Sequence, residues 1–137
     1  MKLQKATRFA IYALLELARD PERQLAASDI ARRYAISTNH LAKVMRELGR
    51  AGLVEAERGV GGGYRFVGNA KRVTLWDVVS RFESLHGDTV EPGQHTETGL
   101  ALGMVLGEMG EIAEATLRSI TIDTMMRMRP RARADAA

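Results

Sequence analysis

The 137-residue sequence predicts a mainly α fold with one small β-hairpin, closed by a long C-terminal helix. Three observations carry this. A basic amphipathic stretch, with Leu41, Val44, Met45 and Leu48 at helical spacing, follows a shorter helical stretch after only a tight turn. Two strand-like runs come next, separated by Gly59, Gly61, Gly62 and Gly63. Far downstream, residues 99–125 repeat apolar side chains every three or four positions. Helix, turn, helix and hairpin in this order make a winged helix-turn-helix domain, to which a long C-terminal dimerisation helix is appended.

Each element has its own local reason. Residues 5–19 put Ala6, Phe9, Ala10, Ala13, Leu14 and Leu17 on one stripe, and Asp20-Pro21 breaks the helix. A short second helix begins at Ala27 or Ser28 and turns Ile30, Ala31 and Tyr34 inward, and Ile36-Ser37 makes the turn into the third. Ser37 is a good N-cap, so the third helix starts there with free N–H groups and a positive dipole end suited to an anion. Its apolar side leaves His40, Lys43, Arg46 and Arg50 outward, and Gly52 ends it. Residues 53–58 and 64–67 read as strands of the wing. A nucleotide-phosphate loop is excluded there, because no Gly-Lys-Ser/Thr comes after it and the next element is a strand.

A further helix over 71–83 begins near Thr74, with Leu75, Val78, Val79 and Phe82 apolar; Trp76, the sole tryptophan, is expected to pack between the winged domain and the C-terminal segment. Residues 84–98 lack periodicity and form a loop. Beyond it the stripe of Leu102, Val105, Leu106, Met109, Ile112, Ala113, Thr116, Leu117 and Ile120 is too long for the remaining domain to cover. It predicts a partner helix, most simply the same helix of a second subunit. Gly99, Gly103, Gly107 and Gly110 lie nearly on one face, each costing about 1 kcal/mol relative to alanine. Close helix crossing at the dimer interface is the expected compensation. The domain plan is therefore 1–83 winged domain, 84–98 loop, 99–126 dimerisation helix and 127–137 a disordered basic tail.

Charge is unevenly spread behind the formal net +3. Residues 1–80 carry 14 Lys/Arg against 8 Asp/Glu, residues 81–126 carry 2 against 8, and residues 127–137 carry 4 against 1. The first part is suited to a polyanion and the second is not. With no cysteine, disulfides and thiolate-held metals are excluded. No window reaches the roughly 18 apolar residues of a membrane span, and the start MKLQKATRFA lacks a signal-peptide core, so a cytoplasmic protein without membrane contact is expected.

The candidate DNA-binding residues are Ser37, Thr38, Asn39, His40, Lys43 and Arg46 on the third helix, with Arg58, Gly61 and Gly62 in the wing; Arg65 on the return strand is also within reach of a phosphate. Asn39 is the best base reader, since its amide can pair bidentately with adenine. The dimerisation candidates are Leu102, Leu106, Met109, Ile112, Leu117 and Ile120. An enzyme is not expected: the three histidines are scattered, with no nucleophile or carboxylate at a legible spacing. His86, Glu91 and His95, with Asp88 and Glu97, offer oxygen and nitrogen donors in the loop, but their spacing matches no tight metal motif. No cofactor is predicted. A small-molecule pocket beside the loop, or a protein partner on the acidic segment, stays open; a winged protein-interaction adaptor is the alternative reading, against which the charge split argues.

With these residues in place the chain resembles the Rrf2 family of bacterial winged-helix regulators, which includes the iron–sulfur regulator IscR and the nitric-oxide sensor NsrR. The resemblance runs from Met1 to about residue 125. It rests on the opening MKL with Tyr12-Ala13-Leu14, on Ser37-Thr38-Asn39-His40-Leu41 with Lys43, on Ala51-Gly52-Leu53-Val54, on Arg58-Gly59 with Gly62-Gly63-Tyr64, and on Thr74-Leu75 with Asp77-Val78-Val79. Asn39-His40-Leu41 is more similar to the NsrR branch. The resemblance implies a homodimer with crossing C-terminal helices, a palindromic double-stranded operator, and most often repression. In cluster-binding members three cysteines fall at about residues 88–101, and NsrR-type proteins add an acidic ligand at the position of Arg8. This sequence has neither. An iron–sulfur cluster held by the usual ligands is thus not expected, because such clusters need thiolates.

Overall fold

The computed structural model describes residues 2–59, 62–87 and 90–130. Its elements are α1 (Lys5–Ala18), α2 (Ala27–Tyr34), α3 (Thr38–Arg50), β1 (Val54–Glu57), β2 (Gly63–Phe66), α4 (Leu75–Val79), α5 (Glu97–Arg118) and α6 (Ile122–Arg127). This is the mainly α winged architecture the sequence predicts. Met1, Val60, Gly61, Asp88, Thr89 and 131–137 lie outside the described residues, and with them most of the expected disordered tail.

α1 is the central post of the core. Ala10, Ala13, Leu14 and Leu17 are fully buried along it, against Ile30 of α2 and Leu41, Met45 and Leu48 of α3. Its N-cap residue, Gln4, makes no side-chain cap. Glu83, just after α4, replaces it: one carboxylate oxygen accepts from the Gln4 N–H at 2.5 Å and from the buried Thr7 hydroxyl at 2.8 Å. A carboxylate there meets both an orphan donor and the positive end of the helix dipole.

α2 closes on Ala35, a non-glycine residue at φ 54°. A Cβ in that region is strained, yet it allows the Ile36 N–H to reach the Ala31 carbonyl at 2.8 Å and aims the chain into α3. α3 ends in a Schellman motif. Gly52, at φ 74°, donates to the Gly49 carbonyl (3.0 Å), and Leu53 N–H donates to the Leu48 carbonyl (3.1 Å).

The wing pairs β1 and β2 antiparallel, with Val54 opposite Phe66 and Glu57 opposite Gly63. Leu25 joins as a bridge to Tyr64 through two backbone hydrogen bonds of 2.8 and 3.0 Å. A Cβ on Gly63 would strike the Leu25 carbonyl, so this bridge needs glycine there. α4 is held at its start by a capping box between Thr74 and Asp77.

The single helix expected over 99–126 is corrected. α5 begins earlier, at Glu97 behind the cap Thr96, and stops at Arg118. Residues 120–123 then run beside 70–75, with Leu75 N–H on Ile120 O, Ile122 N–H on Val73 O and Asp123 N–H on Ala70 O (2.8–2.9 Å). Ile122 is fully buried, and α6 packs on α1. The β-branched run Ile120-Thr121-Ile122 disfavours helix, and Thr121 caps a new one by accepting from the Thr124 N–H at 3.1 Å. Arg127, assigned to the tail, ends α6 in an ion pair with Asp123 at 2.8 Å.

Candidate nucleic-acid interface

α3 exposes one cationic face. Its apolar residues Leu41, Val44, Met45 and Leu48 are sealed against α1 and the wing, which fixes the helix in rotation and leaves Asn39, Lys43, Arg46 and Arg50 exposed opposite them. The Ser37 hydroxyl accepts from the His40 N–H at 3.4 Å, and the N–H groups of Thr38 and Asn39 precede the helix's own bonding ladder. These free donors and the dipole they terminate form one anion-attracting end.

Ion pairing separates the basic residues. Lys43, Arg46 and Arg58 have no carboxylate partner among the described residues. Arg50 lies 3.5 Å from Glu47. Arg65 sits between Glu57 (3.1 Å) and Glu55 (3.9 Å) on the wing, so its charge is met within the hairpin and the expected phosphate contact loses support. His40 is half-buried, its ring edge-on to Phe9 with centroids 5.0 Å apart. That contact orients the imidazole at the helix start. In the wing, the Gly62 N–H donates to the Gly59 carbonyl at 2.9 Å, and a Cβ on Gly62 would collide with the carbonyls of Glu57 and Gly59. Gly61 lies outside the described residues.

A brace between α1 and α2 has no counterpart in the sequence. Tyr12 of α1 and Tyr34 of α2 stack with centroids 5.0 Å apart and planes 9° apart. The Tyr34 hydroxyl donates to Glu16 at 2.5 Å, and Arg33 pairs with the same carboxylate at 3.1 Å. Burial, then the hydrogen bond to Glu16, pushes the Tyr34 phenol above its usual 10.0. Tyr12 and Glu16 share a face of α1 at i, i+4, which marks the near half of the brace; nothing in the sequence marks α2 as its partner.

Among the described residues the loop donors do not converge. His86 Nε2 is 3.4 Å from Glu114 on α5, and its ring meets Trp76 edge-on at 6.3 Å. The Glu91 N–H is held by the Gln94 side chain, and His95 is exposed. No group of three or more metal-ligating side chains forms among the described residues, so the metal candidates His86, Glu91 and His95 stand apart. Trp76 bridges as expected: from α4 its ring meets His86 of the loop and Arg118 of α5, whose guanidinium is 5.4 Å from the ring centroid.

The α5 stripe divides. Leu102, Val105, Leu106, Met109 and Ile112 are each more than half exposed. Leu117 and Ile120, placed in the same stripe by the sequence, pack instead against the core of the winged domain, because the chain turns back at Ser119. The glycine row faces another way. A Cβ on Gly110 would strike the Leu85 carbonyl and one on Gly99 the Gly93 carbonyl, so these two admit the chain's own 84–98 loop; Gly103 and Gly107 between them meet nothing within 4 Å. Self-crossing of helices is not what Gly99 and Gly110 serve.

A family model described as Rrf2, iron-dependent transcriptional regulator, matches residues 3–128. The chain is 51% identical over 129 residues to BadM of Rhodopseudomonas palustris, named as an HTH-type transcriptional regulator, covering 93% of this chain and 83% of that one. It is 34% identical over 139 residues to protein aau3 of Rhizobium meliloti, covering 95% and 88%. Among solved structures it resembles CymR, the global cysteine regulator of B. subtilis, with TM-score 0.77 and 22% identity over 95% of this chain and 99% of that one. It also resembles IscR of T. potens, with TM-score 0.74 and 22% identity over 96% and 94%. No helix among the described residues is long and apolar enough to cross a membrane.

Proposed function

Because the chain belongs to the Rrf2 family of transcriptional regulators, we propose that it is a homodimeric, sequence-specific DNA-binding repressor whose two reading heads meet the half-sites of a palindromic operator. The observation that carries this reading is the face of α3, where Lys43 and Arg46 stand exposed without a carboxylate partner among the described residues. Ser37, Thr38, Asn39 and His40 would enter the major groove, with Asn39 reading a base and the helix start meeting a phosphate. Arg58, Gly61 and Gly62 would approach the neighbouring minor groove. The exposed apolar residues Leu102, Leu106, Met109 and Ile112 of α5 are the surface for the second copy.

The family's description is iron-dependent, and this chain's donor set does not fit a thiolate-held cluster: it contains no cysteine. We therefore propose a regulator without a cysteine-ligated iron–sulfur cluster. Footprinting on the promoter upstream of its own gene, with light scattering on the free protein, tests the reading. A protected palindrome and a dimer are expected; a monomer that protects nothing and binds DNA independently of salt would overturn it.

A further inference from the structure

We propose that the cavity between the end of α3, α4 and the end of α5 binds a small organic carboxylate, and that this ligand tunes the reading head; the second clause rests on the DNA-binding function proposed for α3 and the wing. The cavity has a volume of about 320 Å³, near the lower end of the ~300–1,000 Å³ of ligand sites. Its cationic walls are Arg81, just after α4, and Arg118, the last residue of α5. Trp76, Ser80, Ala51 and Leu53 also belong to the lining, with the Ser80 hydroxyl a further hydrogen-bonding group.

The charge balance favours an anion. Arg81 has no ion-pair partner among the described residues. Arg118 shares Glu114 (Nε to Oε2, 3.5 Å) with His86 while its guanidinium stays close to the Trp76 ring. Asp77 is the one carboxylate in the lining, and it already accepts from the Thr74 N–H at 2.9 Å in the capping box. Two guanidinium groups suit a planar carboxylate, which can accept paired hydrogen bonds.

Position gives the ligand leverage. Ala51 and Leu53 flank Gly52, where α3 stops and the wing begins, so an occupant touches the base of both DNA-facing elements. It touches the end of α5 through Arg118 at the same time. A ligand that holds these three elements in one arrangement shifts operator affinity to the extent that it prefers that arrangement.

Trp76 is the only tryptophan and lines the cavity, so its fluorescence reports occupancy directly. Hexanoate and phenylacetate are titrated into the full chain beside their neutral amides and inorganic phosphate. A saturable change with at least one acid is expected, absent with the amides and with phosphate, and weakened at least about tenfold by Arg81→Ala, as expected for a lost charge-assisted hydrogen bond. Ser80→Asp, which sets a competing carboxylate at the rim without removing either arginine, is expected to abolish it, with unchanged circular dichroism in both variants. No response to either acid, an equal response to the amides or phosphate, or responses untouched by both variants would overturn the site. Acid binding without a change in operator affinity overturns the tuning alone. A Trp76 response in a protein that binds no DNA supports the site and refutes the DNA reading instead.

Discussion

Lys43→Ala removes one cation from the exposed face of α3 without touching the core, since the side chain is exposed and has no carboxylate partner among the described residues. Each phosphate contact contributes about 0.9 to the slope of log affinity against log salt on B-DNA. The proposed symmetric dimer would lose two contacts, so the slope should flatten by about 1.8. Between about 50 and 200 mM salt, wild-type binding should then fall about 12-fold more than that of the variant. Fluorescence anisotropy on one operator duplex, repeated over a salt series, reads this directly. Arg65→Ala is the internal control, because Glu55 and Glu57 already meet its charge on the wing. It should leave the slope unchanged even where it lowers affinity. An unaltered slope for Lys43→Ala, or equal flattening by Arg65→Ala, would refute the assignment of charge drawn from the ion pairs.

Met109→Glu places a carboxylate on the exposed apolar face of α5; losing about 1.5 kcal/mol of burial per copy, about 3 kcal/mol per dimer, should weaken association over about a hundredfold, visible by sedimentation as monomer at concentrations where the wild type is dimeric. Ala35→Gly relieves the φ of 54° between α2 and α3 and should raise stability by roughly 0.5–1 kcal/mol in urea melts; a loss of stability would mean that the Cβ has a role besides straining the turn. The Tyr34 phenol is raised above 10.0 in the folded state, so its contribution is full below pH 10.0 and is lost as pH climbs from there through the raised value. Melts of Tyr34→Phe should therefore lose less stability than the wild type over that alkaline window.

What was legible in the sequence was whatever local chemistry decides. Ser37, Gly52, Thr74 as a helix start, and the Leu41-Val44-Met45-Leu48 stripe each act within a few residues, and each sits where its pattern placed it. Periodicity failed where a β-branched run interrupted it: Ile120 and Ile122 continue an apolar pattern, yet the backbone around Thr121 prefers to pair with residues 70–75. The glycines of α5 were legible as a row but not as to their neighbour, because a missing Cβ says only that something comes close. The pairing of Arg65 inside the wing needed the register that sets Glu55 opposite it. Cooperation across the fold, as in the Tyr12 and Tyr34 brace or the cavity beside Trp76, joins residues from separate elements and leaves no local trace.

The return of residues 120–127 onto the winged domain bears on how the chain is made. Ile122 completes the core, and its neighbours close the edge along 70–75. During synthesis the reading head therefore waits, with that part of its interior open to water, until the whole of α5 has left the ribosome. By then the apolar face of α5 has emerged as well. Completion of the winged domain and exposure of the α5 face proposed to pair thus arrive together, so a fully folded winged domain without α5 is a species the order of synthesis does not produce.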